Sequence, residues 1–340
     1  MGKRTGVLLV NLGTPDQPLR SAVYRYLKEF LLDRRVIDIP AVPRNILVRG
    51  IIAPFRSGSS AKLYKEVWTD EGSPLLLYGK KLKALLSEKL EDKYVVALGM
   101  RYQNPSISSA LDELLDAQVD ELLVLPLFPQ YASATSGSVI DEVMRLLRQM
   151  DTILPVKFIN SFHDNADMIK VFADNARKFD LDSYDQILFS YHGLPQRQLR
   201  KGDRTKCHCL KVENCCASIT DANKFCYSAQ CFATTQLIAK ELGLKADQYE
   251  TCFQSRLVKD PWTQPYTINL IEEVAKKGGK RILVFSPAFV ADCLETIVEI
   301  GVEYQEEFEE WGGEQVDLVP SLNDDPRWVN AVAGIIESNI

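Results

Sequence analysis

The chain has 340 residues, with 40 lysines and arginines against 46 aspartates and glutamates, and 46% of its residues are hydrophobic. These values are typical of a soluble globular protein and exclude a disordered chain and a nucleic-acid scaffold. At about 100 to 200 residues per domain, the length predicts two domains.

No apolar signal region occurs near the N-terminus, and no apolar run reaches the length of about 18 residues that a transmembrane helix needs. We therefore expect a cytoplasmic protein without a membrane span. The apolar segment 45–55 predicts contact with a membrane surface, although a helix in the protein core explains it equally well.

Short apolar runs bounded by turn residues alternate with stretches of helical period. Continuous apolar runs are typical of buried parallel strands, and their alternation with helices predicts an α/β fold with parallel sheets. The predicted strands are 6–10, 94–100, 121–127, 156–160, 186–191, 249–253, 281–285 and 315–319. The clearest predicted helices are 138–150, 166–179, 232–242 and 294–308.

The strand and its Gly-x-Pro exit at 7–15 recur at 187–195, and the strand with a Pro-x-Phe exit at 123–128 recurs at 284–289. Glycine and proline end many strands, but two matches in the same order favour a repeat. We predict two halves, each a four-stranded parallel sheet flanked by helices, with an active-site cleft between them. The predicted N-terminal half is 1–167, and the predicted C-terminal half is 168–322 with a cysteine-rich insertion at 203–231. A C-terminal helix at 323–340 is predicted to pack back onto the protein.

Ligands of open α/β sheets bind at the carboxyl ends of strands, so functional side chains are expected at the strand exits. Of three histidines, His192 directly follows a strand, and Asp292 and Glu295 follow another. A histidine with two carboxylates binds a divalent cation or transfers protons. The alternatives are a structural histidine and a helix-capping box formed by the two acidic residues.

The chain lacks the glycine-rich dinucleotide motif, the P-loop, the serine-hydrolase elbow and the zincin motif, so those classes lose their main support. Six of its eight cysteines lie between 207 and 231. Clustered cysteines in a reducing cytoplasm predict a metal or iron-sulfur site, and the aperiodic stretch 201–231 is long enough to suggest a function.

Six motifs, in this order along nearly the whole chain, resemble the ferrochelatase family, whose members insert iron in the terminal step of haem synthesis. The resemblance implies two Rossmann-like halves of chelatase-like fold, which agrees with the repeat. The motifs are Val10-Asn11-Leu12-Gly13-Thr14-Pro15, Gly99-Met100-Arg101-Tyr102, the segment 127–138, Ser190-Tyr191-His192-Gly193-Leu194-Pro195, Phe253-Gln254-Ser255-Arg256 with Asp260-Pro261-Trp262, and Ala291-Asp292-Cys293-Leu294-Glu295-Thr296.

The resemblance implies a lyase that inserts Fe(II) into protoporphyrin IX to give protohaem, with porphyrin and ferrous iron as its partners and no nucleic acid. By the same resemblance, His192 removes a pyrrole proton or contacts the iron, and Glu295 and Asp292 relay protons or iron. The alternatives are a chelatase for coproporphyrin III or another tetrapyrrole, and a non-catalytic haem- or iron-binding protein in which His192 is an axial ligand.

The resemblance also implies the residues that contact the porphyrin. Arg56, Tyr64 and Ser73 are expected to bind its propionates, because carboxylates need cations or hydroxyl groups. Two positions depart from the family pattern. Relatives usually carry a lysine near the position of Ser59, which this chain lacks, and some relatives carry histidine where Cys293 stands. The full expected substrate-binding set is Leu12, Arg56, Tyr64, Ser73, Arg101, Tyr102, Trp262 and Phe289.

The cysteine segment resembles the insertion of a bacterial subset of the family that holds a [2Fe-2S] cluster, which needs four thiolates. The expected ligands are Cys207, Cys209, Cys216 and Cys226, with Cys215 as the alternate to its neighbour. Zinc is the less favoured cofactor, because the usual C-x-x-C knuckles are missing.

Overall fold

The computed structural model describes residues 3–256 and 260–340, so the first two residues of the predicted N-terminal half lie outside the described residues. The strands of the described chain are β1 (Thr5–Gly13), β2 (Tyr94–Tyr102), β3 (Glu121–Pro126), β4 (Val156–Phe158), β5 (Gln186–His192), β6 (Tyr249–Gln254), β7 (Arg281–Phe285) and β8 (Gln315–Leu318).

The α-helices of the described chain are α1 (Arg20–Leu32), α2 (Ala41–Ile46), α3 (Ala53–Val67), α4 (Pro74–Lys89), α5 (Ile107–Asp116), α6 (Ser136–Leu147), α7 (Ala166–Ala176), α8 (Gln196–Gly202), α9 (Tyr227–Leu242), α10 (Thr267–Lys276), α11 (Tyr304–Glu310) and α12 (Pro326–Glu337). Two segments, Leu47–Ile52 and Glu295–Glu303, are π-helical, and Leu181–Ser183 is a 3₁₀ turn.

The strands form two sheets of four parallel strands, in the orders β2-β1-β3-β4 and β6-β5-β7-β8. The prediction of two four-stranded parallel sheets is therefore confirmed. The repeated motifs occupy equivalent places, because β1 and β5 each lie second in their sheet and β3 and β7 each lie third. The repetition seen in the sequence is thus a repetition of topology.

The chain divides into two compact units. Unit 1 comprises Met1–Phe128, Ala132–Ser161 and Asn323–Ile340, and unit 2 comprises Pro129–Tyr131 and Phe162–Leu322. The division falls before α7, whereas the predicted boundary at residue 167 falls inside this helix. Asn165 caps α7 by accepting a hydrogen bond from the Met168 amide at 2.9 Å, and α7 packs against α9 within unit 2.

The C-terminal helix α12 belongs to unit 1 and packs against α4. Trp328 and Ile336 of this helix are fully buried. An ion pair of 3.1 Å between Lys81 on α4 and Asp324 joins the two elements at the surface. The last turns of the chain thus complete the core of the unit in which the chain begins.

Each sheet is buried by helices, which explains why its central strands read as continuous apolar runs. In unit 1, Leu8 and Val124 of adjacent strands pack with Leu111 of α5 and Val143 of α6 in one core cluster. In unit 2, Leu188 and Val284 occupy the equivalent positions beneath α10 and α11. No helix of the described chain has both the length and the apolar character needed to cross a membrane.

The exit of β1 requires glycine. Gly13 pairs with Tyr102 of β2 and has a φ of +113°, and a Cβ atom there would lie 2.0 Å from the Tyr102 carbonyl oxygen. Only glycine tolerates both the backbone angle and the close approach. The Asn-Leu-Gly-Thr-Pro motif therefore ends a strand at a point of tight contact with its neighbour.

Candidate functional site

His192 is the last residue of β5, and its side chain is half-buried. Its Nδ1 lies 2.8 Å from the carbonyl oxygen of Gly193. A carbonyl oxygen can only accept a hydrogen bond, so Nδ1 must carry the proton and donate the hydrogen bond. In the neutral ring, Nε2 then carries the lone pair, which can take a proton or bind a metal ion. The indole of Trp262 lies nearby, with ring centroids 6.5 Å apart.

The backbone around His192 is held by neighbouring residues of unit 2. The Gly193 amide donates to the Gln254 carbonyl at 2.9 Å, and the Leu194 amide donates to the Thr263 hydroxyl at 3.0 Å. The phenol of Tyr227 donates to the His192 carbonyl at 2.8 Å. These bonds leave the ring of His192 on a fixed backbone.

Glycine is also required directly after His192. A Cβ atom at Gly193 would lie 2.8 Å from the Gln254 carbonyl oxygen and 3.1 Å from Cε3 of Trp262. Real Cβ atoms almost never approach a backbone atom so closely, so a side chain here would move the strand or the indole. The Gly-x-Pro exit predicted from the sequence therefore serves close packing beside the histidine.

The two predicted carboxylates lie at the start of the π-helical segment. Asp292 Oδ1 accepts hydrogen bonds from the Thr296 hydroxyl at 3.2 Å and from the Ser321 amide at 3.3 Å. Glu295 is the first residue of the π-helix, whose first turn has no side-chain cap. The Asp292 side chain therefore ties the start of this segment to Ser321.

Gln254 connects the strand of His192 with this π-helix. It is the register partner of His192, and its Nε2 donates to the Glu295 carbonyl at 3.3 Å and to the Glu299 carboxylate at 3.0 Å. Glu299 also accepts from the amide of Ser255 at 2.9 Å. Segments of π-helix are rare and occur frequently at functional sites. The structure thus brings the supports of His192 and Glu295 together within unit 2.

The thiol of Cys293 is buried beside Glu295. Burial raises the pKa of this thiol well above its usual range, and the neighbouring Glu295 carboxylate raises it further. Cys293 therefore stays protonated at neutral pH. Phe289 lies half-buried in the turn that leaves β7, where its amide donates to the Ser286 carbonyl at 3.0 Å.

The expected propionate-binding residues lie in unit 1. Ser73 precedes α4, and its buried Oγ accepts from the hydroxyl of Thr14 at 2.9 Å, which places it beside the exit of β1 and Leu12. Tyr64 and Arg56 both lie on α3, where Tyr64 is buried and Arg56 is exposed. The structure thus joins Ser73 to the β1 motif and leaves the Arg56 guanidinium open to solvent.

Arg101 and Tyr102, also expected to bind substrate, surround the carboxylate of Asp33 in unit 1. The Arg101 guanidinium and the Tyr102 phenol donate to Asp33 Oδ2 at 2.8 and 2.9 Å, and the Ser138 hydroxyl donates to the same atom. Tyr102 is fully buried. The contacts of this pair hold Asp33 in place at the end of α1.

Three of the four expected cluster ligands share contacts in the structure. Cys209 and Cys216 both lie beside Cys226, Cys215 Sγ lies 3.8 Å from Cys216 Sγ, and the Cys216 thiol donates to the Ser228 hydroxyl at 3.5 Å. Cys207 is exposed, and its thiol contacts the hydroxyl of Thr205 at 3.6 Å. In the described residues, no group of three or more histidine, cysteine or acidic side chains is arranged around a point that a single metal ion would occupy.

The sulfurs differ in their tendency to ionise. Hydrogen bonds from the Cys209 and Cys216 thiols lower the pKa of Cys226 well below its usual range, and amides at the start of α9 lower it further. The neighbouring sulfur of Cys226 is the main cause that raises the pKa of Cys209 and of Cys216, and burial is the second. The segment therefore carries one readily ionised sulfur, at Cys226, beside two thiols.

The other two histidines have different surroundings. His208 lies in the cysteine segment, with Nε2 3.1 Å from the Cys215 carbonyl oxygen. His163 is buried, and burial lowers its pKa although Asp164 lies 3.9 Å away. Sequence reasoning did not assign roles to Tyr227, Thr263, Gln254, Glu299 or Asp33. Gln254 stands at a strand exit, which is a usable signal, whereas the other contacts depend on the fold.

Comparisons with known proteins identify the family. A model of the Ferrochelatase family matches residues 4–340. A Legionella pneumophila (strain Paris) protein named Ferrochelatase is 47% identical over 337 residues, which cover 99% of this chain and 100% of the relative. A Coxiella burnetii (strain Dugway 5J108-111) protein of the same name is 45% identical over 337 residues, covering 99% of this chain and 94% of the relative.

Solved structures support the fold. The structure of SirB from Bacillus subtilis with Fe3+ has a TM-score of 0.55 at 10% identity and covers 99% of this chain and 95% of its own. The sirohydrochlorin chelatase SirB from Bacillus subtilis subspecies spizizenii in complex with cobalt has a TM-score of 0.52 at 9% identity, with the same coverage. These two show the fold alone. The match over residues 4–340 and the two relatives show that the chain belongs to the ferrochelatase family, the lyases that insert a metal ion into a porphyrin.

Proposed function

We propose that the protein inserts Fe(II) into protoporphyrin IX, giving protohaem and two protons in the terminal step of haem synthesis. The observation that carries this proposal is the hydrogen bond from His192 Nδ1 to the Gly193 carbonyl, which leaves Nε2 as a base or metal ligand. The same unit carries two carboxylates, at Asp292 and Glu295. Gln254, at the end of β6, donates to the Glu295 carbonyl.

Insertion requires that both pyrrole N–H groups of the porphyrin lose their protons while Fe(II) binds the ring nitrogens. His192 Nε2 accepts a pyrrole proton, and a positioned base of this kind typically contributes about 10² to 10⁴ in rate. The carboxylates of Glu295 and Asp292 attract the ferrous ion and receive the released protons, because hard oxygen ligands and a borderline imidazole both suit Fe(II).

Protoporphyrin has two propionates and an otherwise apolar ring, which agrees with the expected contacts. Arg56, Ser73 and Tyr64 supply a guanidinium and hydroxyl groups for the propionates, and Leu12, Trp262 and Phe289 supply apolar surface. Coproporphyrin III carries four propionates and would need more polar partners. The composition of this set favours protoporphyrin IX as the substrate.

The test is an anaerobic turnover assay with Fe(II) or Zn(II) and either porphyrin, followed by the Soret and visible bands. We expect many turnovers with protoporphyrin IX, and a fall of at least about 10² for His192→Ala with the fold retained. The control is His163→Gln, which changes a buried histidine outside this site. Turnover with coproporphyrin III alone would support the alternative substrate, and binding without turnover would support a haem- or iron-binding protein.

We also propose that the cysteine segment holds a [2Fe-2S] cluster. Cys209 and Cys216 lie beside Cys226, and Cys215 Sγ lies 3.8 Å from Cys216 Sγ, whereas Cys207 is exposed with its thiol 3.6 Å from the Thr205 hydroxyl; this favours Cys215 as the fourth ligand. A bound cluster would cross-link a segment of low apolar content. Zinc remains the alternative, and iron and acid-labile sulfide analysis distinguishes the two.

The protein is further proposed to act in the cytoplasm at a membrane surface, where an apolar porphyrin is available. In the segment from α2 to α3, the side chains of Val42 and Phe55 are 71% and 79% exposed, and Ile46 and Ile51 are also exposed. Exposed Arg49 and Arg56 flank them and would favour anionic lipid.

Sedimentation with phosphatidylglycerol vesicles tests this surface. We expect Phe55→Asp to weaken vesicle binding, because it places a charge among the apolar side chains. Met144→Asp changes another exposed apolar residue, on α6 and 48% exposed against 79% for Phe55, and serves as the control. Equal binding by both variants and the parent would contradict the proposal.

A further inference from the structure

We infer that Tyr227 is a positioning residue for metal insertion, because its phenol fixes the peptide after His192 and so keeps the imidazole in the form that carries the proton on Nδ1. The inference rests on the proposed role of His192 as base or ligand. Tyr227 does not contact the reacting atoms by this account. It acts through the backbone to which the imidazole is bonded.

The two peptides that follow the Cα of His192 are both held by hydrogen bonds. The first has its carbonyl bound by the Tyr227 phenol at 2.8 Å and its amide bound to Gln254 at 2.9 Å. The second has its carbonyl bound by His192 Nδ1 at 2.8 Å and its amide bound to the Thr263 hydroxyl at 3.0 Å. All four polar groups therefore have partners, and the ring is attached to the second peptide.

The tautomer of His192 depends on this arrangement. A neutral imidazole in water favours the proton on Nε2, so the opposite form needs an acceptor held at Nδ1. The Gly193 carbonyl is that acceptor, and its direction follows from the orientation of the peptide before it. Without the phenol, the His192 carbonyl loses its hydrogen bond, and the peptide keeps only the bond from its amide.

Tyr227 is itself firmly placed. Its side chain is only 7% exposed, and it is the first residue of α9, directly after Cys226. Gln230 fixes this helix start, because its Nε2 donates to the Lys224 carbonyl at 2.7 Å and its Oε1 accepts from the Tyr131 amide at 2.6 Å. The phenol therefore projects from a rigid point onto the His192 carbonyl.

The test combines a spectroscopic readout of the ring with kinetics. Because the chain has three histidines, ¹⁵N-labelled imidazole signals can be assigned with His163→Gln and His208→Gln. At a pH where the ring is neutral, we expect the parent to show Nδ1 protonated and Tyr227→Phe to show a mixture of tautomers. We also expect kcat to fall roughly tenfold with the KM for porphyrin unchanged, a part of what a positioned base contributes.

The matched control is Tyr191→Phe. Tyr191 is the residue before His192, is fully buried, and has its phenol 3.0 Å from the Thr235 hydroxyl rather than on the His192 backbone. This variant should keep the parent tautomer and kcat, although it also loses a buried phenol.

An unchanged tautomer in Tyr227→Phe would overturn the inference, whatever the activity. A changed tautomer with unchanged kcat would also overturn it, because the ring form would then not matter for insertion. Failure of the proposed function gives a different result, since His192→Ala would then retain turnover while the tautomer of the parent could still depend on Tyr227.

Discussion

The carboxylate of Asp33 lies 2.8 Å from the guanidinium of Arg101, and only 5% of the Asp33 side chain is exposed. The same oxygen accepts from the Tyr102 phenol and the Ser138 hydroxyl. These contacts join the end of α1, the end of β2 and the start of α6 within unit 1. The conformation of the motif Gly-Met-Arg-Tyr therefore depends on a residue 68 positions away in the sequence.

Replacing Asp33 by asparagine should destabilise the protein strongly. The change leaves the Arg101 guanidinium, which is only 16% exposed, without its charge partner, and breaking a buried pair typically lowers the free energy of unfolding by up to about 3 to 5 kcal/mol. Urea unfolding of the parent and the variant measures the difference. The control is Glu142→Gln, which breaks an exposed pair with Arg145 and should change stability by less than about 1 kcal/mol. Equal effects would contradict the importance of burial here.

Replacing Gly193 by alanine should lower both stability and turnover. The new Cβ would press on the Gln254 carbonyl and the Trp262 indole, and overpacking of this kind typically lowers the free energy of unfolding by about 1 to 3 kcal/mol. We expect reduced kcat as well, since both neighbours support His192. Thermal unfolding and the turnover assay measure the two effects.

Gly334→Ala is the matched control for that substitution. Gly334 lies inside α12 and has no atom within 4 Å of an added Cβ, so alanine should stabilise the helix by about 0.5 to 1 kcal/mol. Its turnover should equal that of the parent. A Gly193→Ala variant with parental stability and kcat would show that the close contact has no consequence.

The sheet could be predicted from the sequence because the apolar runs of buried parallel strands are local signals. The predicted strand 281–285 coincides with β7, and the predicted strand 186–191 differs from β5 only by the inclusion of His192. The start of α9 was predicted five residues too late, at 232 rather than at Tyr227. Its true start is held by the side chain of Gln230, a contact with distant backbone that no local pattern shows.

The candidate site was predictable to a similar extent. The strand exit and the resemblance singled out His192, Asp292 and Glu295, because the residues themselves carry the chemistry. Tyr227, Thr263 and Asp33 were not assigned, since each acts through a hydrogen bond to a partner 35 to 105 residues away. Long-range polar contacts of this kind have no periodic signature in the chain.

The contribution of Tyr184 to the free energy of unfolding should decrease at alkaline pH. Burial, with the hydrogen bond to Asp317 at 2.7 Å, raises the pKa of Tyr184 from 10.0 to about 12. A raised pKa means that the contribution is fully present below the ordinary value and is lost as the pH rises through the raised value. Tyr184→Phe should therefore be less stable than the parent at about pH 8, by about 1 kcal/mol, with a smaller difference at about pH 11.

Urea midpoints of the two proteins at both pH values check this sign. The aromatic contact with Arg281, whose guanidinium lies 4.6 Å from the Tyr184 ring centroid, is retained by phenylalanine, so the comparison isolates the phenol. A difference that stays constant or grows with pH would contradict the assignment of the raised pKa to this bond.

Serine substitutions in the cysteine segment should separate ligands from bystanders. If the [2Fe-2S] proposal holds, the anaerobically purified parent absorbs in the visible region and contains iron and acid-labile sulfide in equal amounts. Cys209→Ser and Cys226→Ser should lose this absorption, because the two residues are neighbours and both are proposed ligands. Cys215→Ser should also lose it.

Cys207→Ser is the decisive comparison, because the resemblance includes Cys207 among the ligands, whereas its thiol is exposed and contacts Thr205. We expect this variant to keep the absorption and the iron content. Loss in Cys207→Ser with retention in Cys215→Ser would mean that the segment rearranges around the cluster and that Cys207 is the fourth ligand. Zinc without sulfide in the parent would overturn the cluster proposal, since a [2Fe-2S] centre cannot be assembled without sulfide.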